Sequence, residues 1–244
     1  MESRSARSLP PPPALPDAMI ALALSAMAFL GIHIGVSGTT LRDRVVRAVG
    51  LNGYMAGFSV ASLAALIWLI ASYKDAPYLE TWGMLESWKP VMLVLMLPAF
   101  LLVVVGLTTP NPTSVAQEKL VAQAPRGIVQ VTRHPFLMGV ALWSGLHVVG
   151  NGDRASLLFF GAMLVVSVAG AWSIDAKRRR MLGADAWDVF ARRTSMLPFA
   201  AILGGRARMD VAGIGPWRLG AGAGAYALML GGHLHLVGVN PFWW

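Results

Sequence analysis

The chain has no cysteine. Disulfides, iron–sulfur clusters, thiolate-ligated haem, covalent Cys-x-x-Cys-His haem attachment and thiol redox switching are therefore excluded. Any metal held by the protein must be bound through nitrogen, oxygen or methionine sulfur. Charge is also scarce: 13% of the 244 residues are charged, against about 25% in a soluble domain. Negative charge is scarcer still, with 12 Asp and Glu against 20 Lys and Arg, a net +8. No internal repeat or heptad run is present. No histidine pair has helical i, i+4 spacing with a carboxylate, which argues against a zincin-like site.

What is abundant is apolar residue, 56% of the chain, and it comes in runs. Runs of about 20 apolar residues mark membrane-crossing helices. Six are expected: Ala18–Gly38, Tyr54–Tyr73, Pro90–Thr109, His134–Gly150, Ala155–Ile174 and Leu219–Val239. The expected fold is all-α, a polytopic transmembrane helical bundle. Residues 1–17 carry a run of four prolines and form a short disordered tail; 18–244 form one transmembrane domain. The fourth and fifth runs are joined only by Asn151–Arg154, so they form a tight antiparallel hairpin. Met196–Leu203 is apolar but too short to span, and is expected at the interface or re-entering.

Cations test the count. With six spans, Arg4, Arg7, Lys74, Lys89 and Arg154 fall on one side and the other fifteen on the opposite side. Cytoplasmic loops carry the excess of Lys and Arg, so both termini lie outside, in what is expected to be a bacterial inner membrane. The partner implied is the lipid bilayer. The cations hug span ends, so nucleic acid is not an expected partner. Trp82, Trp88 and the terminal Asn240-Pro241-Phe242-Trp243-Trp244 read as interfacial anchors.

All five histidines, His33, His134, His147, His233 and His235, lie within or at the ends of apolar runs. Polar groups at membrane depth are costly unless they pair or bind something. Single histidines on different helices fit a haem held axially between helices, and without cysteine it would be b-type. At about 1.5 Å per residue, His33 sits roughly 20 Å below the outer edge. His147, His233 and His235 lie within roughly 10 Å of that edge, and His134 lies near the cytoplasmic one. Depth alone pairs His147 with His233 or His235.

Three more residues join the candidates. Asp153 follows a turn-forming Asn151-Gly152 and reads as a turn and helix cap. Asp175 precedes Lys177-Arg178-Arg179-Arg180, an anchored exit or a site for an anionic cofactor group. Arg133, before His134-Pro135, would face a cytoplasmic-side ligand.

Several ordered blocks resemble the NnrU family of membrane proteins, which includes relatives of plant 15-cis-ζ-carotene isomerase. They are His33-Ile-Gly-Val-Ser37 with Leu41-Arg42; Gly50-Leu-Asn-Gly-Tyr54 with Ser59-Val-Ala-Ser62; and Arg133-His134-Pro135 with Leu142-Trp143, His147 and Asn151-Gly152-Asp153. Further on come Asp175-Ala-Lys177-Arg178, Gly183, Trp187, Phe190, Thr194-Ser195 and Pro198-Phe199, and last His235-Leu-Val-Gly238-Val-Asn-Pro241. For the isomerase branch the resemblance implies a b-type haem whose redox state gates carotenoid cis–trans isomerisation, with His33 and His147 as axial ligands. His134 and His235, with Arg133, Asp153 and Asp175, would be cofactor- or substrate-side groups. For the bacterial branch it implies a role in nitrogen-oxide metabolism during denitrification. The partners implied are a lipophilic polyene substrate or a nitric oxide metabolism enzyme, which the chain would serve as a non-catalytic membrane assembly factor.

A second resemblance overlaps the first. Gly127-Ile-Val-Gln-Val-Thr-Arg133-His134-Pro135-Phe-Leu-Met-Gly139, with Gly183, Phe190 and Pro198, is similar to isoprenylcysteine carboxyl methyltransferases. It implies a site for S-adenosylmethionine. Asp175 stands where an acidic pair is usual in that family.

Overall fold

The computed structural model describes residues 17–242. The expected tail, apart from Asp17, lies outside the described residues, as do Trp243 and Trp244 of the terminal anchor. Ten α-helices follow in order: α1 Asp17–Leu30, α2 Leu41–Asp75, α3 Lys89–Thr108, α4 Ile128–Val131, α5 Pro135–Asn151, α6 Arg154–Leu182, α7 Ala184–Arg192, α8 Ala200–Leu203, α9 Val211–Ile214 and α10 Pro216–Val237. Among the described residues there is no strand, only one isolated bridge between Glu80 and Asp153. The all-helical expectation is met.

Among the described residues, four stretches are long and apolar enough to cross a membrane: Asp17–Val36, Leu41–Asp75, Glu86–Thr108 and Arg154–Leu182. The other two expected spans are helices of different character. α5 has 17 residues, about 25 Å. α10 has 22 residues and is diluted by glycine. The large helices lie side by side. α1 packs on α2 and α6, α6 on α5, α5 on α3, and α3 on α10.

Much apolar surface points outward. Leu22 and Leu69 are fully buried, whereas Val60 and Val94 are about 70% exposed. A water-soluble protein does not display contiguous apolar surface on this scale, and a lipid-facing bundle does. The inner packing forms two centres. One joins Met19, Leu22 and Phe29 of α1 to Leu69 of α2 and Phe159 and Phe160 of α6. The second lies at the other end of α6, joining Val105, Val131, Met138 and Ala171 to Trp187 and Phe190 of α7. α3 and α5 meet closely because Gly139 leaves room: a Cβ there would sit 2.7 Å from Val103 Cγ2 and 2.8 Å from the Ala99 carbonyl oxygen.

Two details differ from the sequence reading. The second apolar run begins earlier, at Leu41, but Gly50 breaks the helix with φ 77° and ψ 165°. An unbroken 35-residue helix would be about 52 Å long, well beyond a hydrocarbon core of about 30 Å. The break separates residues 41–49 from the crossing part. The first run ends in a π-helical segment, Gly31–Val36, that contains His33. Met196–Leu203 folds back onto α4: Thr132 Oγ1 donates to the Met196 carbonyl and the Phe199 N–H donates to the Val131 carbonyl.

Candidate functional site

The polar side chains gather in two layers at opposite ends of α6. The first layer surrounds the start of α5. Asp175 accepts from Arg133 Nε at 3.0 and 2.9 Å through its two oxygens, and Arg133 Nη2 donates to it as well. His134 Nε2 donates to Asp175 Oδ1 at 2.7 Å. His134 is 2% exposed, so this ion-paired group is almost dry. Asn111 Nδ2 and Thr113 Oγ1 both donate to the Arg133 carbonyl. Arg178, itself buried, pairs with Glu118 at 2.5 Å and donates to the Pro112 and Ser114 carbonyls. The segment after α3 is thereby fastened to α6, and Arg133, His134 and Asp175 are committed to one another.

The second layer surrounds the α5–α6 turn. Gly152 has φ 60° and its carbonyl accepts from the Thr81 and Gly83 N–H groups and from Thr81 Oγ1. A Cβ at Gly152 would lie 2.0 Å from the Gly83 carbonyl oxygen, so glycine is required there for both torsion and space. Asp153 caps α6, accepting from the Ser156 N–H at 3.0 Å. Tyr73 Oη and Asn151 Nδ2 both bond Ser156 Oγ, at 2.9 and 3.0 Å. Trp82 Nε1 donates to the Val149 carbonyl.

Three of the remaining histidines share one feature. His33 Nδ1 donates to the Phe29 carbonyl at 2.8 Å, His147 Nδ1 to the Trp143 carbonyl at 2.9 Å, and His233 Nδ1 to the Val239 carbonyl at 2.8 Å. A carbonyl holding Nδ1–H fixes the tautomer and leaves the Nε2 lone pair available, the usual arrangement in a ligating histidine. His147 is also held by rings. It stacks on Phe160 with centroids 4.4 Å apart and planes 13° from parallel, and Trp143 lies 5.2 Å away. His235 is exposed and, among the described residues, makes no side-chain hydrogen bond.

His33 and His147 are not brought together. His147 rests on Phe160, near the start of α6. His33 lies one turn before Ser37, whose carbonyl accepts from Lys177 near the end of α6. Phe160 and Lys177 are 17 positions apart, roughly 25 Å along the helix. His233, by contrast, lies within electrostatic reach of His147. Among the described residues no group of three or more His, Asp or Glu side chains could hold a metal ion. Sequence reasoning missed Tyr73, Ser156, Asn111, Thr113 and Glu118. Hydroxyls and amides in apolar runs carry no spacing signal, and their partners lie 60 or more positions away in several cases.

These features define an integral membrane protein of helical-bundle type, with tautomer-fixed histidines set among apolar helices. The NnrU protein family model matches residues 21–241, nearly all of the described chain, and the chain belongs to that family. Over 83 residues it is 32% identical to the chloroplastic 15-cis-zeta-carotene isomerase of Zea mays, covering 34% of this chain and 22% of that relative. Over 80 residues it is 32% identical to the same-named protein of Arabidopsis thaliana, covering 33% of this chain and 22% of the relative. The matched stretch thus spans about a fifth of those relatives' length. No solved structure matches.

Proposed function

We propose that this chain is a membrane-embedded isomerase acting on a cis double bond of a lipophilic polyene, with a b-type haem held at His147. The observation that carries this reading is the setting of His147. Its Nδ1 is tied to the Trp143 carbonyl, its face is clamped against Phe160, and among the described residues its Nε2 has no hydrogen-bond partner. The similarity to 15-cis-zeta-carotene isomerases supplies the substrate class.

The donor set fits a haem at His147 but does not fit the pair His33 and His147 on one iron, because the two stand at different depths. His233 is the better second donor. When bound, a haem would supply an iron centre whose redox state and Lewis acidity act on a conjugated double bond. The chain itself does three things. Trp143 and Phe160 orient the imidazole, the Trp143 carbonyl keeps the proton on Nδ1, and the surrounding apolar helices exclude water. Arg133, His134 and Asp175 hold the opposite end of α5 and contribute rigidity to it.

We further propose six crossings, with α5 and α10 as the short and the glycine-rich members and both termini outside, on the strength of the fifteen-to-five cation asymmetry. The methyltransferase reading would require Arg133, His134 and Asp175 to face a ligand, whereas they bond one another.

The test is conversion of 15-cis-ζ-carotene by bacterial membranes containing the protein, followed by chromatography of the geometric isomers. A faster loss of the 15-cis form than in control membranes, abolished by His147→Ala, is the expected result. No difference from control membranes in either redox state sinks the isomerase reading.

A further inference from the structure

A site that the proposed reaction does not use lies where the break at Gly50 meets the end of α6. Residues 41–49 are amphipathic. Leu41, Val45, Val46 and Val49 alternate with Arg42, Asp43, Arg44 and Arg47, and both Leu41 and Val49 are exposed. A short helix of this pattern, set off from its crossing part, lies in the plane of the interface with cations toward the headgroups.

Arg42 sits over the ring of Tyr54, 5.3 Å from its centroid. Lys177 on α6 is within electrostatic reach of Arg42, Arg178, Arg180 and Asp43. Two of these cations find carboxylates: Arg42 pairs with Asp43 and Arg178 with Glu118. Among the described residues Lys177 and Arg180 pair with none; Lys177 donates only to the Ser37 carbonyl. The place therefore holds more positive charge than it neutralises.

A second observation points to a ligand. Tyr54 is 8% exposed, yet among the described residues its buried hydroxyl has no hydrogen-bond partner. Leaving such a group unmade is expensive. Its ring stacks on Phe58, which meets His33 edge-on.

We propose that Arg42, Tyr54, Lys177 and Arg180 bind the phosphate of an anionic phospholipid, whose acyl chains run along the exposed apolar side chains of residues 41–51. The phosphate oxygens accept the Tyr54 hydroxyl proton and neutralise the excess cations. A phosphodiester fits because it is anionic, acceptor-rich and delivered at the depth of an interfacial helix.

Native mass spectrometry of the full chain released from detergent tests this, with dioleoyl phosphatidylglycerol and dioleoyl phosphatidylcholine as probes. Each cation near the surface contributes about fivefold in affinity for an anionic lipid, so phosphatidylglycerol is retained roughly an order of magnitude better. The double variant Arg42→Gln, Arg180→Gln loses most of that preference, whereas Arg192→Gln, Arg208→Gln keeps it. Tyr54→Phe supplies an arm that does not depend on charge. Without anionic lipid it is at least as thermostable as the parent, and it gains less than the parent when phosphatidylglycerol is added. Equal retention of the two lipids, equal loss in both double variants, or an undiminished gain by Tyr54→Phe overturns the proposal.

Discussion

At the scale of single residues, the strongest polar group is Arg133, His134 and Asp175. Side-chain exposures of 14% for Arg133, 1% for His134 and 16% for Asp175 mean that solvent cannot replace a lost partner. Asp175→Asn leaves Arg133 buried without its counter-charge, a change that costs about 3–5 kcal/mol. A marked fall in the melting temperature of detergent-purified protein is expected. An unchanged transition would mean that water reaches Arg133. Asp210 gives a residue-scale pH effect outside the crossing helices. Its carboxylate accepts from the Gly127 and Gly213 N–H groups at 3.0 and 2.8 Å, and these donors lower its pKa below the ordinary 3.8. The carboxylate therefore adds stability that is present above the unfolded value of 3.8 and is lost as pH falls through the lowered folded value. Amide exchange at Gly127 should quicken beyond its intrinsic trend only below pH about 4, and Asp210→Asn should remove that step. A step near neutral pH would contradict the assignment.

At the scale of elements, two glycines decide how the hairpin of α5 and α6 is held. Gly152→Ala places a Cβ against the Gly83 carbonyl oxygen in a left-handed conformation, which costs of order 1–3 kcal/mol from the torsion alone. Gly139→Leu forces α3 and α5 apart, and is expected to loosen the packing centre that contains Met138 and Val105. Proteolysis between α3 and α5 should accelerate in Gly139→Leu, while protection equal to the parent would show that the helices can shift. The elements were largely legible in the sequence, because long apolar runs and an Asn151-Gly152 turn have local causes. The hairpin appears where Asn151–Arg154 predicts it, and Asp153 is the cap its position suggests. The break at Gly50 was not legible, since a glycine inside a helical pattern is usually tolerated and only its torsion reveals the change of direction. The π-helical segment around His33 was hidden for the same reason. The site was legible in its residue types but not in its grouping: the sequence offered five histidines, and only the fold places His33 and His147 at different levels of α6.

At the scale of the whole molecule, a lipid-facing bundle sets polar groups in layers at its two ends and holds His33 and His147 against aromatic side chains. Absence of cysteine makes topology directly measurable. A cysteine introduced at Arg208 should be labelled only from the cytoplasmic side, and one at Glu80 only from the outer side; labelling of both from one side would remove the six-crossing arrangement. The central claim concerns His147, and an absorption spectrum of the purified protein, oxidised and then reduced, tests it most directly. A Soret band in the parent, lost in His147→Ala and weakened more by His233→Ala than by His33→Ala, is the result the account predicts. A colourless protein expressed with ample haem, or a band that survives His147→Ala unchanged, would contradict it.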